Sequence, residues 1–228
     1  MFKVNEIFLS IQGEGLNMGM PMIFLRFYGC NLRCKWCDTK YSYGIPKEYL
    51  DEEAVKFWKS STFQEMSTAA ILQKIAKFSG VKAVCVTGGE PLVQPLNELA
   101  RLLWFLRCND YYTQIQTNGT IYDQDVFRQC SFVSMDMKPP SSGMKSEIGC
   151  LQNLNLLFAK GKACEVKVVV ADQKDLDFAL TEIYPIAKMP LILQPEGGKN
   201  IDWIKDQVVK TYPNVRILPQ LHKLYGWR

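Results

Sequence analysis

Apolar, strand-like runs alternate with amphipathic, helix-like segments along the whole chain, and this alternation limits the possible folds more than any other feature. Strands that alternate with helices are typical of a parallel sheet with right-handed crossover connections. The predicted strands are residues 22–28, 81–86, 112–117, 132–138, 164–170, 191–195 and 215–218. The sequence therefore predicts one α/β domain over residues 1–228, either a full or partial (β/α) barrel or an open doubly wound sheet.

Helix signals stand between these strands. Ser67 is a favourable N-cap, apolar residues follow it at helical spacing, and Gly80 ends the pattern. Pro95 suits the first turn of the next helix. The other predicted helices are residues 123–130, 151–160, 176–183 and 202–211. Residues 40–66 fit no motif, and we expect a small inserted helix there.

Three of the predicted strands alternate polar with apolar residues, which places the polar side chains of each strand on one face. A parallel strand covered by helices has no solvated face. Edge strands that face water could account for one such strand but hardly for three, so the pattern favours the polar lumen of a barrel. The polar sets are Gln114 with Gln116, Ser134 with Asp136 and Lys138, and Glu165 with Lys167.

The chain contains eight cysteines, three of which are clustered. Cys30, Cys34 and Cys37 have the spacing C-x3-C-x2-C directly after a predicted strand, and barrel enzymes place their active sites at such strand ends. Three thiolates on one loop can bind three irons of a four-iron cluster and leave the fourth iron open to a ligand. A zinc site and thiols that only fill space are the alternatives.

Charge and hydropathy exclude several classes of protein. The net charge is +4, which is too small to indicate binding to nucleic acid or to a membrane surface. No apolar run approaches the ~20 residues of a membrane span, and the N-terminus lacks the pattern of a signal peptide. A secreted disulfide framework is shorter and denser in cysteine, so we expect a cytoplasmic protein without nucleic-acid or membrane partners.

Arg26 interrupts an apolar predicted strand. A buried guanidinium needs a charged partner, and its planar fork suits a carboxylate. That partner is either an Asp or Glu of the protein or the acid group of a substrate.

The cysteine spacing, with Trp36 before the last cysteine, resembles the radical S-adenosylmethionine (SAM) superfamily. The resemblance implies a [4Fe–4S] cluster whose open iron binds the methionine part of SAM. One electron then cleaves the sulfonium and releases a 5′-deoxyadenosyl radical that abstracts hydrogen. It also implies an electron donor such as flavodoxin or ferredoxin.

Two other parts of the chain fit the same superfamily. The run Val86-Thr87-Gly88-Gly89-Glu90-Pro91 resembles its GGE motif, which holds the SAM amino group, although a plain β-to-α turn is the alternative. Asp136 and Lys138 would contact the ribose or carboxylate of SAM, or form a structural salt bridge. Gln194 would face the adenine, or be an ordinary loop amide.

Further motifs resemble one family within this superfamily, the 7-carboxy-7-deazaguanine synthases, over residues 5–223. They are Gln12-Gly13-Glu14-Gly15, Cys37-Asp38-Thr39, Gln116-Thr117-Asn118-Gly119, Lys138-Pro139-Pro140-Ser141-Ser142 and Leu218-Pro219-Gln220-Leu221-His222-Lys223. The resemblance implies 6-carboxy-5,6,7,8-tetrahydropterin as substrate, contraction of its ring with loss of ammonia, and a product for queuosine or archaeosine in tRNA. It also implies a homodimer with a shortened, mostly parallel barrel of the radical SAM type.

The same resemblance implies roles for individual residues. Those expected on the pterin are Ile11, Gln12, Gly13, Arg26, Thr87 and His222, although His222 could also be a solvated tail residue. Those expected on SAM are Trp36, Cys37, Asp38, Gly89, Asp136, Met137, Lys138 and Gln194. Thr39 would bind a Mg²⁺ that also touches the substrate carboxylate. Many members read Ser-Pro-Lys where this chain reads Asp136-Met137-Lys138.

Two other functions share some of these features. A glycyl-radical activating enzyme carries the same cysteine spacing but acts on a partner protein, and it needs neither Arg26 nor Thr39 to hold a carboxylate. A zinc-binding module that contacts RNA would use the cysteines without iron, but the modest positive charge gives it little support.

Overall fold

The structure is a computed structural model of the 228-residue chain, and it describes residues 1–44, 63–198 and 202–226. The helix expected within residues 40–66 falls largely on 45–62, which lie outside the described residues. Trp227 and Arg228 of the C-terminal tail also lie outside them.

The described residues form a nine-stranded, mostly parallel sheet with β3 and β9 as its end strands. The strands are β1 (Phe2–Ile11), β2 (Pro21–Phe27), β3 (Gln64–Met66), β4 (Ala83–Gly88), β5 (Tyr112–Thr117), β6 (Phe132–Asp136), β7 (Ala163–Val170), β8 (Leu191–Pro195) and β9 (Val215–Ile217). Within the described part of the chain the sheet does not close. The predicted α/β fold, with a mostly parallel sheet that forms a partial rather than a closed barrel, is therefore confirmed.

Most of the helices lie between these strands, as the alternation predicts, and the last helix follows β9. They are α1 (Thr68–Ile75), α2 (Leu96–Cys108), α3 (Gln124–Gln129), α4 (Ile148–Phe158), α5 (Gln173–Phe178), α6 (Asp202–Val208) and α7 (Leu221–Tyr225). Ser67 caps α1 as predicted, because its side chain accepts a hydrogen bond from Ala70 N at 3.2 Å. None of the described helices combines the length and the apolar character that crossing a membrane requires.

Among the described strands and α-helices, three were not predicted from the sequence: β1, β3 and α7. β3 has three residues and exists through antiparallel pairing with β1, in which Phe2 faces Met66. In β1, Asn5 and Glu6 separate buried Phe2 and Val4 from the short apolar run Ile7-Phe8-Leu9, so no long apolar run marks this strand. The α7 helix has five residues, which is too short for a helical period to be visible.

The described residues group into two compact units. The first unit comprises Met1–Ser10, Pro21–Thr117 and Asp123–Ser131, with the strand order β3-β1-β2-β4-β5. Its strands β2, β4 and β5 are parallel neighbours. Ile23 on β2 faces Val84 on β4, and both are fully buried, which removes their apolar surface from water.

The second unit comprises Ile11–Met20, Asn118–Tyr122 and Phe132–Arg228. Its strands β6, β7, β8 and β9 are consecutive parallel neighbours. The polar face of β6 and β7 is buried: Ser134 and Glu165 are fully buried, and Lys167 is 2% exposed. The alternative in which these strands are edges that face water is therefore wrong.

Candidate active site

The cysteine motif lies in the first unit, on the loop that follows β2. Cys34 is buried, while Cys30 and Cys37 are partly buried. The loop begins in a fixed position because Cys30 N donates to the Tyr43 carbonyl at 2.8 Å and Tyr43 Oη donates to the Cys34 carbonyl at 3.0 Å. The strand end thus presents all three thiols from one short, partly buried segment.

The electrostatics of this loop favour a bound cation. Burial raises the pKa of the Cys30 thiol to about 11, an effect that the Leu32 N–H opposes and that the negative charges of Glu90, Cys34 and Cys37 increase. The pKa of Tyr43 is also raised well above its usual range, first by burial and then by its contact with Cys37. Positively charged iron would offset this mutual repulsion of the thiolates, so the residues present fit a [4Fe–4S] cluster.

The arrangement of the thiols also bears on the kind of metal. Among the described residues, no three His, Cys, Asp or Glu side chains converge on a point that would hold a single metal ion. Structural zinc requires such convergence, with four ligands on one ion. A four-iron cluster takes each thiolate on a different iron, and the three thiols of one loop can each bind one iron.

The turn after β4 lies against the start of the cysteine loop. Gly89 N donates to the Phe27 carbonyl at 3.0 Å, and Glu90 N donates to the Gly29 carbonyl at 2.7 Å. A Cβ added at Gly89 would collide with the Gly29 carbonyl oxygen, and Gly88 has a φ of 126°. Only glycine fits both positions, so the two glycines let the turn approach the loop closely.

Glu90 is fully buried inside this turn. Its Oε1 accepts hydrogen bonds from Leu92 N and from Thr117 Oγ1, each at 2.9 Å. The carboxylate therefore caps the turn Pro91–Val93 and ties it to the end of β5. The sequence shows Thr117 only as part of the motif Gln116-Thr117-Asn118-Gly119. It does not show that Thr117 contacts Glu90.

Arg26, Thr87 and Gln116 occupy neighbouring strands of the first unit. Arg26 on β2 is the register partner of Thr87 on β4, and Thr87 Oγ1 donates to Gln116 Oε1 at 3.2 Å. Of the two partners considered for Arg26, a protein acid is present, since Arg26 Nε lies 2.8 Å from Glu6 Oε1. No other polar contact joins the Arg26 guanidinium to the described residues, so its terminal nitrogens can still take a ligand carboxylate.

The remaining predicted residues of the cysteine motif lie at its end. Trp36 is partly buried and Asp38 is exposed. Thr39 Oγ1 lies 3.6 Å from Cys37 Sγ. A single hydroxyl can bind Mg²⁺ only if waters and ligand oxygens complete the octahedron, so the Mg²⁺ role of Thr39 stays a prediction.

A buried ion pair organises the polar cluster of the second unit. Lys167 Nζ lies 2.5 Å from Glu14 Oε2, and Gln220 Nε2 donates to Glu14 Oε1 at 2.6 Å. Although burial lowers the pKa of Lys167, the nearby charges of Glu14, Asp136 and Glu165 raise it above its ordinary value. Lys167 is therefore a buried cation, whereas the sequence pattern indicates only a polar position on β7.

Glu165 anchors the loop that follows β1. Its Oε1 accepts from Ser134 Oγ at 2.7 Å, and its Oε2 accepts from Leu16 N at 2.6 Å. Gly15, with a φ of 67°, passes so close to this carboxylate that a Cβ would collide with it. Burial raises the pKa of Glu165, while Lys167 and the two donors lower it. These contacts fix the loop that carries the Gln-Gly-Glu-Gly motif.

The structure brings together Gly13 and His222, two residues expected on the pterin. The Gly13 carbonyl accepts from Leu221 N at 3.0 Å, and a Cβ at Gly13 would lie 3.0 Å from His222 Nδ1. His222 Nε2 lies 3.9 Å from Glu14 Oε1, and its side chain is 23% exposed. His222 is thus partly buried rather than fully solvated. Gln12 is buried and Ile11 partly buried in the same unit.

The residues expected on SAM in the second unit lie on β6, on β8 and just after β6. Lys138 Nζ lies 2.8 Å from Asp136 Oδ2, so the salt bridge considered from the sequence is present. Met137 is buried, and its N–H donates to the Lys167 carbonyl at 2.9 Å. Gln194 is fully buried, and neither polar atom of its side chain has a partner among the described residues. Buried amides are normally hydrogen-bonded, so Gln194 is suited to a ligand.

Comparison with known proteins agrees with this architecture. The Radical SAM superfamily matches residues 24–131. The chain is 39% identical to a 7-carboxy-7-deazaguanine synthase from Thermoplasma acidophilum, over 98% of this chain and 97% of that one. It is 36% identical to a protein of the same name from Methanospirillum hungatei, over 98% of this chain and 85% of that one.

A solved structure is similar over almost the same length. The crystal structure of QueE from Escherichia coli superposes with a TM-score of 0.66 and 25% identity, covering 96% of this chain and 93% of that one. The fold, the cysteine loop against a Gly-Gly-Glu turn, and the full-length relatives agree with one another. The chain belongs to the 7-carboxy-7-deazaguanine synthase family of radical SAM enzymes.

Proposed function

We propose that this chain is a radical SAM lyase that converts 6-carboxy-5,6,7,8-tetrahydropterin to 7-carboxy-7-deazaguanine with loss of ammonia. The observation that carries the proposal is the close approach of the Gly88–Gly89–Glu90 turn to the loop that bears Cys30, Cys34 and Cys37. That arrangement occurs in a chain whose relatives of nearly full length are 7-carboxy-7-deazaguanine synthases. The product would enter the biosynthesis of 7-deazapurine nucleosides such as queuosine or archaeosine.

Cys30, Cys34 and Cys37 would hold the [4Fe–4S] cluster. When bound, the cluster supplies one electron to SAM, whose cleavage yields the 5′-deoxyadenosyl radical that abstracts hydrogen from the substrate. The protein residues hold the thiols in place and limit the access of water to Cys34, which is buried. A flavodoxin or ferredoxin would deliver the electron.

The residues that would contact SAM are those that the family resemblance implies. They are Trp36, Cys37, Asp38, Gly89, Asp136, Met137, Lys138 and Gln194. Gly89 has no side chain to obstruct a ligand. The fully buried and unpartnered amide of Gln194 supports its place in this set, because a ligand would satisfy both of its polar atoms.

The substrate would be held through its carboxylate and its pterin ring. Arg26 would bind the carboxylate with the terminal nitrogens that no described residue uses, and its Nε is already fixed by Glu6. Thr87 lies beside Arg26 in register and would contact the ring. Ile11, Gln12, Gly13 and His222 would contact the pterin, and Thr39 would bind Mg²⁺ next to the substrate carboxylate.

The protein would act as one radical SAM domain over residues 1–228, as a homodimer, in the cytoplasm. None of the eight cysteines forms a disulfide, which is typical of a reducing compartment. The thiols of the motif would then be available for iron.

An anaerobic assay tests the proposed reaction. Reconstituted protein is incubated with the carboxypterin, SAM, Mg²⁺ and a strong reductant, and the products are separated by mass spectrometry. We expect 7-carboxy-7-deazaguanine and ammonia to form without any partner protein, and a Cys37→Ala variant to form neither. Cleavage of SAM without this product, or a requirement for a partner protein, would indicate a different radical SAM enzyme, such as a glycyl-radical activating enzyme.

A further inference from the structure

Arg33 lies inside the cysteine motif, and its guanidinium is surrounded by carbonyl groups of the same loop. Its Nη1 donates to the carbonyls of Cys30 and Leu32, each at 2.7 Å. Its Nη2 donates to the Gly44 carbonyl at 3.2 Å. The Arg33 side chain therefore links Cys30, the first cysteine of the motif, to Gly44, which lies beyond the end of the motif.

Tyr43 completes this arrangement. The Arg33 guanidinium carbon lies 4.9 Å from the centre of the Tyr43 ring, within the range of a cation–π contact. The Tyr43 hydroxyl donates to the Cys34 carbonyl at 3.0 Å, and Cys30 N donates to the Tyr43 carbonyl at 2.8 Å. Two of the three cysteines are thus held through their backbone by one arginine and one tyrosine.

The chemistry of the guanidinium explains why arginine suits this position. The loop from Cys30 to Cys37 contains no helix or strand, so its carbonyls need donors from elsewhere. A planar guanidinium offers several donors in a fixed geometry and can stack on a ring at the same time. A lysine carries the same charge but can neither reach three carbonyls in this geometry nor stack as a plane.

We propose that Arg33 is a positioning residue for the iron–sulfur cluster. It holds the backbone of the cysteine loop in the shape that receives the cluster, and it slows the release of iron. Ordering the loop before iron binds removes an entropic cost from cluster assembly. The proposal rests on the [4Fe–4S] site of the proposed function.

Lys35 provides a matched control within the same motif. It is exposed and makes no hydrogen bond or ion pair with the described residues. Lys35→Gln therefore removes one positive charge from the loop without removing a contact. Arg33→Gln removes both charge and contacts, and Arg33→Lys keeps the charge but loses the planar fork.

The experiment measures iron release rather than catalysis. Wild-type protein and the three variants are reconstituted anaerobically, iron and sulfide are quantified, and loss of cluster absorbance is followed after addition of a chelator. We expect Arg33→Gln and Arg33→Lys to lose the cluster about 10-fold faster or more, which is the usual size of an outer-shell effect on a metal site. Lys35→Gln should stay within about twofold of the wild type.

A second variant keeps the test valid if Arg33→Gln does not fold, which circular dichroism of the metal-free protein will show. Tyr43→Phe retains the ring beneath Arg33 but loses the hydrogen bond to Cys34, and we expect it also to accelerate iron loss. Unchanged release rates in Arg33→Lys and Tyr43→Phe, or an equal acceleration in Lys35→Gln, would overturn the role of Arg33. Wild-type protein that takes up no iron would instead overturn the proposed function.

Discussion

Arg26 Nε lies 2.8 Å from Glu6 Oε1, and the same carboxylate oxygen accepts a hydrogen bond from Tyr41 Oη at 2.8 Å. The guanidinium also lies over the Phe8 ring, 5.7 Å from its centre. The orientation of Arg26 is therefore fixed by the protein before any ligand binds, which reduces the entropic cost of binding a carboxylate.

This arrangement predicts a selective defect on substitution. Arg26→Gln should raise the KM for the carboxypterin about 30-fold or more, because loss of one partner of a hydrogen-bonded charge pair costs about 2 kcal/mol or more. The KM for SAM should change little. Glu6→Gln is the matched variant, since it keeps the Arg26 guanidinium and weakens the contacts of Glu6 with Arg26 and Tyr41, and it should have a smaller effect. Equal KM values for the carboxypterin in Arg26→Gln and wild type would show that Arg26 serves only its pair with Glu6.

The buried pair of Lys167 and Glu14 predicts a change in stability. Lys167→Met leaves the Glu14 carboxylate without its cation, and breaking a buried pair in this way costs about 3–5 kcal/mol. Denaturant unfolding of the metal-free protein, followed by circular dichroism, measures this loss. The double variant Glu14→Gln/Lys167→Met should recover part of it, because Glu14 then carries no charge that has lost its partner. A loss below about 1 kcal/mol in Lys167→Met would contradict a buried, charged lysine.

The Cys30 thiol predicts a pH dependence of alkylation. In metal-free protein the pKa of Cys30 is raised from 9.0 to about 11, first by burial. Its thiolate fraction at pH 8 is then about 100-fold lower than that of an ordinary thiol. We expect its alkylation rate to reach half its maximum near pH 11, as measured by mass spectrometry of the labelled peptide. The exposed Cys108 is the internal control, and half-maximal labelling of Cys30 below pH 9 would contradict this prediction.

The raised pKa of Cys30 also predicts how the free energy of unfolding changes with pH. Between pH 9 and about 11 the folded protein keeps a proton on Cys30 that the unfolded chain has lost. The unfolded state therefore binds fewer protons, and the free energy of unfolding decreases as the pH rises through this interval. Cys30→Ala should remove this part of the pH dependence in metal-free protein, and an unchanged slope would contradict the assignment.

The close packing at Gly89 predicts that a larger side chain there disturbs the site, and Gly149 provides the control substitution. Gly89→Ala would place a Cβ against the Gly29 carbonyl at the start of the cysteine loop, so it should lower both iron content and thermal stability. Gly149 lies in α4, and a Cβ there meets no atom within 4 Å. Gly149→Ala should stabilise the protein by about 0.5–1 kcal/mol. Normal iron content in Gly89→Ala would mean that the close approach is not needed.

The order of strands and helices was visible in the sequence because each element has its own pattern. The polar alternation of β7 indicated a buried polar face, and Ser67 marked the start of α1. β3 was not visible because its three residues are a strand only through pairing with β1. Local patterns therefore predicted the elements whose own residues show a clear apolar periodicity. They did not predict elements such as β3, which form by pairing with another strand.

The residues of the candidate site also fall into those that were predictable from the sequence and those that were not. The three cysteines are close in sequence, so their spacing alone indicated the chemistry. The contacts of Glu14 were not predictable, because Lys167 and Gln220 lie 153 and 206 residues away from it. Arg26 was expected to need an acid, but only the fold identifies Glu6 as one partner. To predict long-range pairs of this kind, one must know which residues of distant segments face each other in the fold. Local sequence patterns do not reveal this.

The central claim is that the three cysteines hold an iron–sulfur cluster with one iron open to SAM. The most direct measurement is iron and sulfide analysis of the anaerobically reconstituted protein, with electron paramagnetic resonance of the reduced sample before and after SAM is added. We expect about four irons and four sulfides per chain and a spectrum that changes when SAM binds. One zinc per chain without iron, or a cluster whose spectrum ignores SAM, would contradict the account.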